Sequence, residues 1–242
     1  FTLMILDPLY MMIVLVGLVL SGGASLLVKS RFQKGKQTGL WSGMTGAEVA
    51  RRVLDAAGVE GVEIVPVQGF LSDHYNPINK TLALSPDVYH GNNASSAGVA
   101  AHEAGHAIQH AQGYSPMWVR SALVPMANIG STIGPWVIII GILLGAAEGM
   151  GLGVSLAKIG VALFGLATLF TLVTVPVEFD ASSRAKKMLE QLSIVRSEEE
   201  SAAVAGVLSA AGLTYVAAAI NSLLMLLYWA YRAGLLGGRR SN

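Results

Sequence analysis

The chain has 242 residues, of which 53% are hydrophobic and only 13% are charged. Charged residues make up about a quarter of an ordinary globular chain, so this composition excludes a simple soluble domain. The net charge of +1 gives no bulk attraction to nucleic acid, and the absence of cysteine excludes disulfides and thiolate metal ligands.

Four apolar segments are long enough to cross a bilayer as helices. They run from Leu9 to Val28, from Leu123 to Ala147, from Leu152 to Val177 and from Leu213 to Tyr231. Two prolines in the second segment, Pro125 and Pro135, predict kinks there. The short link between the second and third segments predicts a tight transmembrane hairpin. We therefore expect a mainly α-helical membrane protein with about four transmembrane helices.

Basic residues indicate the orientation of these spans. Lys29, Arg31, Lys34 and Lys36 follow the first span, and Arg184, Lys186 and Lys187 follow the third. The positive-inside rule places both basic segments in the cytoplasm. Three arginines after the last span, Arg232, Arg239 and Arg240, argue against this orientation if that span crosses fully. The larger number of basic residues decides the orientation, and a re-entrant last span is the alternative.

A small mixed region lies between the first two spans. Thr45 and Glu48 form a capping box, which predicts the start of a helix. A short strand at Val62–Val65 follows, and then a hairpin of Phe70–Tyr75 with Thr81–Leu84, joined by residues typical of turns. An edge strand of such a sheet can hold an extended peptide by main-chain hydrogen bonds, or the sheet can simply cover the core.

The next predicted helix carries the sequence His102-Glu103-Ala104-Gly105-His106. Residues four apart lie on one helical face, so the two imidazoles can bind the same ion. Glu103 lies about 100° round the helix and can reach a water molecule on that ion without binding it. Two histidines, an open position and an adjacent carboxylate are what zinc-dependent peptide hydrolysis requires.

The limits of this helix are also predicted. Ser95 or Ser96 is the expected N-cap, and the helix should run to about Gln112. The helix is too polar to be a span, and a short link leads from it into the second span. The predicted metal site should therefore lie near the membrane surface.

A hydrolytic zinc site needs a third protein ligand. His110 continues the four-residue series, but it rises about 12 Å above His102 along the helix axis, too far to share an ion. Glu178, where the third span ends, is the favoured candidate, because a carboxylate facing lipid is costly. The alternative for Glu178 is a carboxylate that reaches the membrane interface. Asp180 and Arg184 either form a surface ion pair or lie behind the ligands, with Asp180 orienting a ligand histidine.

The chain resembles the neutral zinc metallopeptidases of bacterial membranes, often called YugP-like. The residues that carry the resemblance run from the first span to the last: Leu71-Ser72-Asp73-His74-Tyr75-Asn76-Pro77, Leu84-Ser85, Val99 to Gln109, Gly113-Tyr114, Arg120-Ser121, Val124-Pro125, Glu178-Phe179-Asp180-Ala181-Ser182, Arg184-Ala185 and Leu213-Thr214-Tyr215-Val216-Ala217. The chain is more distantly similar to the gluzincins among the heat-shock membrane proteases and CAAX prenyl proteases.

The resemblance implies a Zn²⁺ ion held by His102, His106 and Glu178, with Glu103 as general base. Gluzincin relatives usually carry an acidic residue four positions after the third ligand. Here that position is Ser182, which departs from the pattern.

A hydrolase of this kind also needs a donor for the developing oxyanion. The candidates are His74, Tyr75, Arg184 and Tyr215. His74 is favoured as a catalytic residue because a hairpin strand could project it over the metal. Asp73 and Tyr75 beside it are candidate substrate-binding residues, and the alternative for Asp73 and His74 is a purely structural role in the hairpin.

These observations predict transmembrane helices combined with a small cytoplasmic α+β zincin-like domain. The expected segments are 1–28 as the first anchor, 29–120 as the cytoplasmic part with the metal-binding helix, 121–177 as the transmembrane hairpin, 178–212 as a cytoplasmic helical segment with the third ligand, and 213–242 as the last span and tail. The site is expected near the cytoplasmic face of the cell membrane.

The favoured function is a membrane-anchored zinc endopeptidase that acts on unfolded or membrane protein segments. The expected partners are a protein or peptide substrate and the lipid bilayer, without nucleic acid. Two alternatives are an intramembrane protease and a non-catalytic zinc-binding adaptor or scaffold. Glycines on the second and third spans indicate close helix packing. The sequence leaves open whether that packing lies within one chain, between protomers of a homo-oligomer or against another membrane protein.

Overall fold

The computed structural model describes residues 7–146 and 148–236. These residues form two compact units. We call residues 7–21, 119–175 and 215–236 the span unit, and residues 22–118 and 176–214 the sheet unit. Ala147, Arg239 and Arg240, which the span and orientation arguments used, lie outside the described residues.

Helices dominate the chain, as the sequence predicted. In chain order the elements are α1 (Pro8–Lys36), α2 (Gly46–Ala56), β1 (Glu63–Pro66), β2 (His74–Asn76), β3 (Thr81–Leu84), α3 (Pro86–Tyr89), α4 (Ala94–Ala111), α5 (Ser115–Leu143), α6 (Gly151–Gln191) and α7 (Glu198–Arg232). Four of the described helices, α1, α5, α6 and α7, are long and apolar enough to cross a membrane. Helices α1, α6 and α7 extend beyond their predicted apolar segments at both ends, because flanking residues continue the same backbone hydrogen-bond pattern. Helix α5 begins before its predicted segment but ends at Leu143, short of the predicted limit at Ala147.

In the span unit, α5 and α6 approach each other closely through glycine. A Cβ atom at Gly141 would lie 2.6 Å from the backbone nitrogen of Ala157, and one at Gly160 would lie 2.7 Å from the backbone nitrogen of Ile138. These two predicted small-residue positions therefore face a helix of the same chain. Helix α5 continues without interruption through Pro125 and Pro135.

The beginning of α1 and the end of α7 lie side by side in the span unit. The Asp7 carboxylate accepts hydrogen bonds from the Tyr228 hydroxyl at 3.1 Å and from the Arg232 guanidinium at 3.0 Å. A re-entrant segment would have to reverse direction, whereas α7 is one continuous helix that ends beside the start of α1. This continuity favours a last span that crosses fully, which stays a prediction, and Arg232 is paired with Asp7.

In the sheet unit, the three strands have the order β1-β3-β2. Strand β1 pairs with β3 in parallel, and β2 pairs with β3 antiparallel, with Tyr75 opposite Leu82. The predicted hairpin is present, but its first strand begins at His74 and not at Phe70. Gly69 and Leu71 have positive φ angles of 117° and 53°, which interrupt an extended strand.

Helix α4 forms the centre of the sheet unit. Nearly all of its residues are buried, including the small residues Ala97, Ala100, Ala101 and Ala104. Leu82, Leu84 and the apolar face of α2 belong to the same hydrophobic core. The capping box at Thr45 and Glu48 is confirmed. Small side chains thus let the other elements pack directly against the helix that carries both histidines of the motif.

The N-cap of α4 is Asn93, so the prediction of Ser95 or Ser96 is wrong. The Asn93 side chain accepts a hydrogen bond of 3.0 Å from the Ser96 backbone N–H. Ser95 lies inside the helix, and its hydroxyl donates 2.7 Å to the Phe32 carbonyl of α1. Asparagine and serine are about equally good N-caps, so only the tertiary contact of Ser95 distinguishes them.

Candidate metal centre

Three side chains from two helices converge in the sheet unit. Nε2 of His102 lies 3.1 Å from Oε2 of Glu178, and Nε2 of His106 lies 3.4 Å from the same oxygen. The ligand atoms of all three residues lie within 4.8 Å of one another. All three side chains are buried, and Glu178 is only 2% exposed. A buried carboxylate between two imidazoles is an arrangement that can hold a metal ion.

Helical spacing and a glycine produce this convergence. His102 and His106 are four residues apart on α4, and their rings lie 4.7 Å apart. Gly105 sits between them, and a Cβ atom there would lie 2.8 Å from the carbonyl oxygen of Ala181 on α6. The missing side chain therefore lets α6 approach α4 closely enough for Glu178 to reach both imidazoles.

His106 is held by an amide that the sequence analysis did not identify. Its Nδ1 lies 2.9 Å from Oε1 of the fully buried Gln109. The Gln109 amide nitrogen donates 2.8 Å bonds to the Val177 carbonyl and to the Asp180 carboxylate, both of which only accept. Oε1 must therefore face His106, so Nδ1 of His106 carries the proton and Nε2 is left for a metal.

His102 is held by a hydroxyl. Its Nδ1 lies 3.1 Å from Oγ of Ser182, at the position where similarity to the gluzincins implied an acidic residue. A hydroxyl can donate or accept, so it orients the ring without selecting one tautomer. Nε2 again points toward Glu178.

Asp180 and Arg184 lie behind the histidines and not beside them. The two side chains form the predicted ion pair four residues apart on α6. Asp180 also accepts from Gln109, so it reaches His106 through one intervening side chain. Arg184 donates to the Gln112 side chain and lies over the Tyr114 ring, 5.7 Å from its centre. The ion pair with Arg184 is therefore present, whereas the orienting role of Asp180 toward a ligand histidine stays a prediction that would act through Gln109.

Glu103 has the surroundings of a residue that is available to a water molecule. Its side chain is only 8% exposed, and no residue in the described part of the chain donates a hydrogen bond to it. It lies close enough to Asp73 for the two carboxylates to interact electrostatically. Burial raises the pKa of Asp73 against the hydrogen bonds from Ser85, and the Glu103 charge raises that pKa further.

The three predicted site residues of the hairpin, Asp73, His74 and Tyr75, each have a different hydrogen-bond partner. Asp73 accepts bonds from the backbone and the hydroxyl of Ser85, at 2.7 and 3.0 Å. His74 is exposed in β2, and its Nδ1 lies 2.8 Å from the Ser72 carbonyl. The Tyr75 hydroxyl lies 2.9 Å from Nδ1 of His110. The Asp73 bonds match the structural alternative, and within the described residues no hydrogen bond links Asp73, His74 or Tyr75 to the histidines of the motif.

The electrostatics of the centre favour cations. Burial lowers the pKa of His106, but hydrogen bonding to Glu178 and the charges of Glu103 and Glu178 outweigh it and raise that pKa above its usual value. A proton on His106 therefore competes with a metal ion for the same Nε2 atom.

The donor set fits zinc. Two imidazoles and one carboxylate are the three protein ligands of many hydrolytic zinc sites. Bonds of about 2.1 Å in tetrahedral geometry separate ligand atoms by roughly 3.3–3.4 Å. The distances of 3.1 and 3.4 Å from Glu178 to the histidines agree with that separation.

The sequence analysis missed two contacts of this region, from Gln109 to His106 and from Ser182 to His102. The sequence contains a local signal for the first contact only. Gln109 is three residues after His106, a spacing at which helical side chains touch, so a buried polar residue there could have been assigned to the histidine. Nothing local distinguished Ser182 as a partner of His102, because the two residues are 80 positions apart.

Comparisons with known proteins identify the family of the chain. The sequence profile of the family described as "Putative neutral zinc metallopeptidase" matches residues 10–234. The chain is 42% identical over 234 residues to "Putative membrane protease YugP" of Bacillus subtilis (strain 168), which covers 97% of this chain and 100% of that protein. No solved structure matches the chain significantly. The chain therefore belongs to the neutral zinc metallopeptidase family.

Proposed function

We propose that the protein is a membrane-anchored zinc endopeptidase of the gluzincin type. The observation that carries this proposal is the buried group of His102, His106 and Glu178, together with Glu103 on the helix of the two histidines, whose carboxylate has no hydrogen-bond partner among the described residues. A purely structural metal site needs no free carboxylate beside it. The zinc-binding adaptor or scaffold is therefore less favoured.

The proposed roles of the residues follow from their contacts. His102, His106 and Glu178 would hold the ion, which supplies a Lewis acid that stabilises negative charge on water and on the scissile carbonyl. Glu103 takes a proton from the attacking water and passes it to the leaving amine. Gln109 keeps the His106 proton on Nδ1 and thereby holds Nε2 in its basic form.

Strand β2 is the proposed binding strand for the substrate. It is an edge strand of the sheet, and it lies against α4. An extended peptide can add to such an edge by main-chain hydrogen bonds without a sequence requirement. This mode suits unfolded or membrane protein segments, because their backbones are not already paired.

The proposed position of the centre is the cytoplasmic face of the cell membrane. Glu178 directly follows the apolar stretch of α6, which continues as one helix to Gln191. The basic residues after that stretch favour the cytoplasm. The ligand from α6 would then lie just outside the hydrocarbon.

Substitution of Glu103 by Gln tests the proposed general base. We expect Glu103→Gln to keep about one zinc per chain and to lose peptide cleavage, because an amide cannot accept the proton. Zinc is measured by elemental analysis of detergent-purified protein, and cleavage by mass spectrometry of unfolded protein substrates. Cleavage that persists in Glu103→Gln would remove Glu103 from this role.

Substitution of Glu178 by Ala tests the third ligand. We expect clear loss of zinc relative to the wild type in parallel preparations, because two histidines alone bind the ion weakly. Glu190→Ala, at an exposed position of the same helix, serves as the matched control. Zinc retained in Glu178→Ala would move the third ligand elsewhere, whereas a folded wild type without zinc would favour the scaffold.

A further inference from the structure

A groove away from the metal centre lies between the end of α1 and the beginning of α7. It encloses about 240 Å³. One wall carries Arg31, Lys34, Gly35 and Thr38, and the other carries Glu199, Ala202, Ala203 and Gly206. Arg31, Lys34 and Gly35 share one face of α1, with Thr38 two residues beyond the helix end, and Glu199, Ala202, Ala203 and Gly206 share one face of α7. The groove therefore lies between facing sides of the two helices.

The groove is open because one wall lacks large side chains. Ala202, Ala203 and Gly206 contribute almost no volume. A Cβ atom at Gly206 would lie 3.7 Å from Cδ and 3.9 Å from a terminal nitrogen of Arg31. The guanidinium of Arg31 therefore lies directly opposite the glycine, at one end of the groove.

Among the described residues, the two cations in the groove have no counterion. Within residues 7–146 and 148–236, neither Arg31 nor Lys34 forms an ion pair or a hydrogen bond through its side chain. Lys36, two residues after Lys34, is paired with Asp87 at 3.1 Å. The positive charge of the groove is therefore available to a ligand.

The charge of the groove changes along its length. Thr38 and Glu199 also line a neighbouring larger cavity, so they mark the end opposite to Arg31 and Gly206. Along the chain, Arg31 of α1 is nearer to the apolar segment that ends at Val28 than Thr38, which follows α1. The positive end of the groove is thus the end nearer to the predicted membrane span, and the single acid is at the far end.

With the first span ending at Val28, as the sequence predicts, this end of the groove is expected at the depth of lipid headgroups. At 1.5 Å per residue, Arg31 and Lys34 follow Val28 by about 4.5 and 9 Å along the helix. The headgroup region extends roughly 5–7 Å beyond the hydrocarbon on each side. Long basic side chains can adjust their charged ends over a few ångströms within this region.

We propose that this groove binds the phosphate of an anionic phospholipid, with Arg31 and Lys34 as its ligands. Arginine and lysine at the headgroup level recognise anionic lipids by charge. The guanidinium donates paired hydrogen bonds to phosphate oxygens, and the ammonium adds a point charge. The small residues of α7 leave room for the headgroup.

Native mass spectrometry of the full detergent-solubilised chain tests this proposal. The protein is titrated with phosphatidylglycerol and, separately, with phosphatidylcholine. We expect the wild type to retain phosphatidylglycerol preferentially. The double variant Arg31→Gln/Lys34→Gln should bind it about tenfold more weakly, because each basic residue contributes to binding an anionic headgroup.

Two further variants distinguish a built groove from diffuse attraction. Gly206→Leu keeps both charges but fills the groove, so it should also weaken phosphatidylglycerol binding. If the double variant does not fold, Gly206→Leu alone tests the proposal. Lys186→Gln/Lys187→Gln removes the same charge from exposed positions of α6 and should leave binding within about twofold of the wild type.

Three results would overturn the proposal. The first is unchanged phosphatidylglycerol binding in folded Arg31→Gln/Lys34→Gln or in Gly206→Leu. The second is an equal loss in Lys186→Gln/Lys187→Gln, which would indicate a general charge effect. The third is displacement of the lipid by millimolar glycerol 3-phosphate, which would assign the groove to a soluble phosphate compound.

Discussion

At the scale of single residues, the two histidines of the candidate centre are supported in different ways. The amide of Gln109 can only accept from His106, since its nitrogen already donates to Val177 and Asp180. The hydroxyl of Ser182 can donate to or accept from His102. His106 is therefore the histidine with one defined tautomer, which prepares its Nε2 for a metal ion.

Substitution of Gln109 by Met should weaken zinc binding by about 10- to 100-fold, the usual effect of losing a partner behind a ligand histidine. Methionine has a similar shape but cannot hold the His106 proton on Nδ1. The zinc dissociation constant is measured by competition with a chelator. Gln112→Met, which removes the far end of the same hydrogen-bond chain, is the control. Equal zinc affinity in Gln109→Met and wild type would contradict this role.

At the scale of elements, the centre depends on how closely α4 and α6 approach. Glu178 is 76 residues from His102 in sequence, and its carboxylate reaches the imidazole because Gly105 leaves space for the backbone at Ala181. The bond from Gln109 to the Val177 carbonyl joins the same two helices beside this contact. The helix pair, and not α4 alone, forms the candidate ligand set.

Gly105→Ala should push α4 and α6 apart, because the new Cβ would lie 2.8 Å from a backbone oxygen that cannot rotate away. We expect a loss of roughly 1–3 kcal/mol in the free energy of unfolding, as for overpacked cores, together with weaker zinc binding. Thermal melting and zinc analysis measure the two effects.

At Gly98, also on α4, the nearest atom to a new Cβ is a Val204 methyl at 3.4 Å. Gly98→Ala should therefore be neutral or slightly stabilising, and equal behaviour of the two variants would refute the close-approach argument.

At the scale of the whole molecule, a metal bound between α4 and α6 links segments that are distant in the chain. Both segments belong to the sheet unit, which is built from residues 22–118 and 176–214. An ion that binds only the folded protein stabilises it by mass action. The long stretch between these segments forms part of the span unit.

Removal of zinc should therefore lower the melting temperature of the wild type. With free zinc at 100 times its dissociation constant, the expected stabilisation is about 2.7 kcal/mol. Glu178→Ala should melt at the same temperature with and without a chelator, since it lacks the third ligand. Melting is followed by circular dichroism in detergent. A wild type that is indifferent to zinc removal would show that the ion does not join the two segments.

Local properties of this protein are determined by its sequence alone. The spacing of His102 and His106 places both rings on one face of any helix, the four apolar segments demand helices in a bilayer, and Thr45 with Glu48 caps α2. Each of these features depends on neighbours within a few residues, where the geometry of the helix settles the outcome.

Contacts between distant segments were decided only by the tertiary structure. It brought Glu178 to the histidines, as predicted, but also Ser182 to His102, and it placed Ser95 against Phe32 so that Asn93 became the N-cap. The pairing of β1 in parallel with β3 was not predicted. Such contacts depend on which surfaces pack together. The side chains concerned can form equally good bonds with several partners, so packing and not local geometry selects among them.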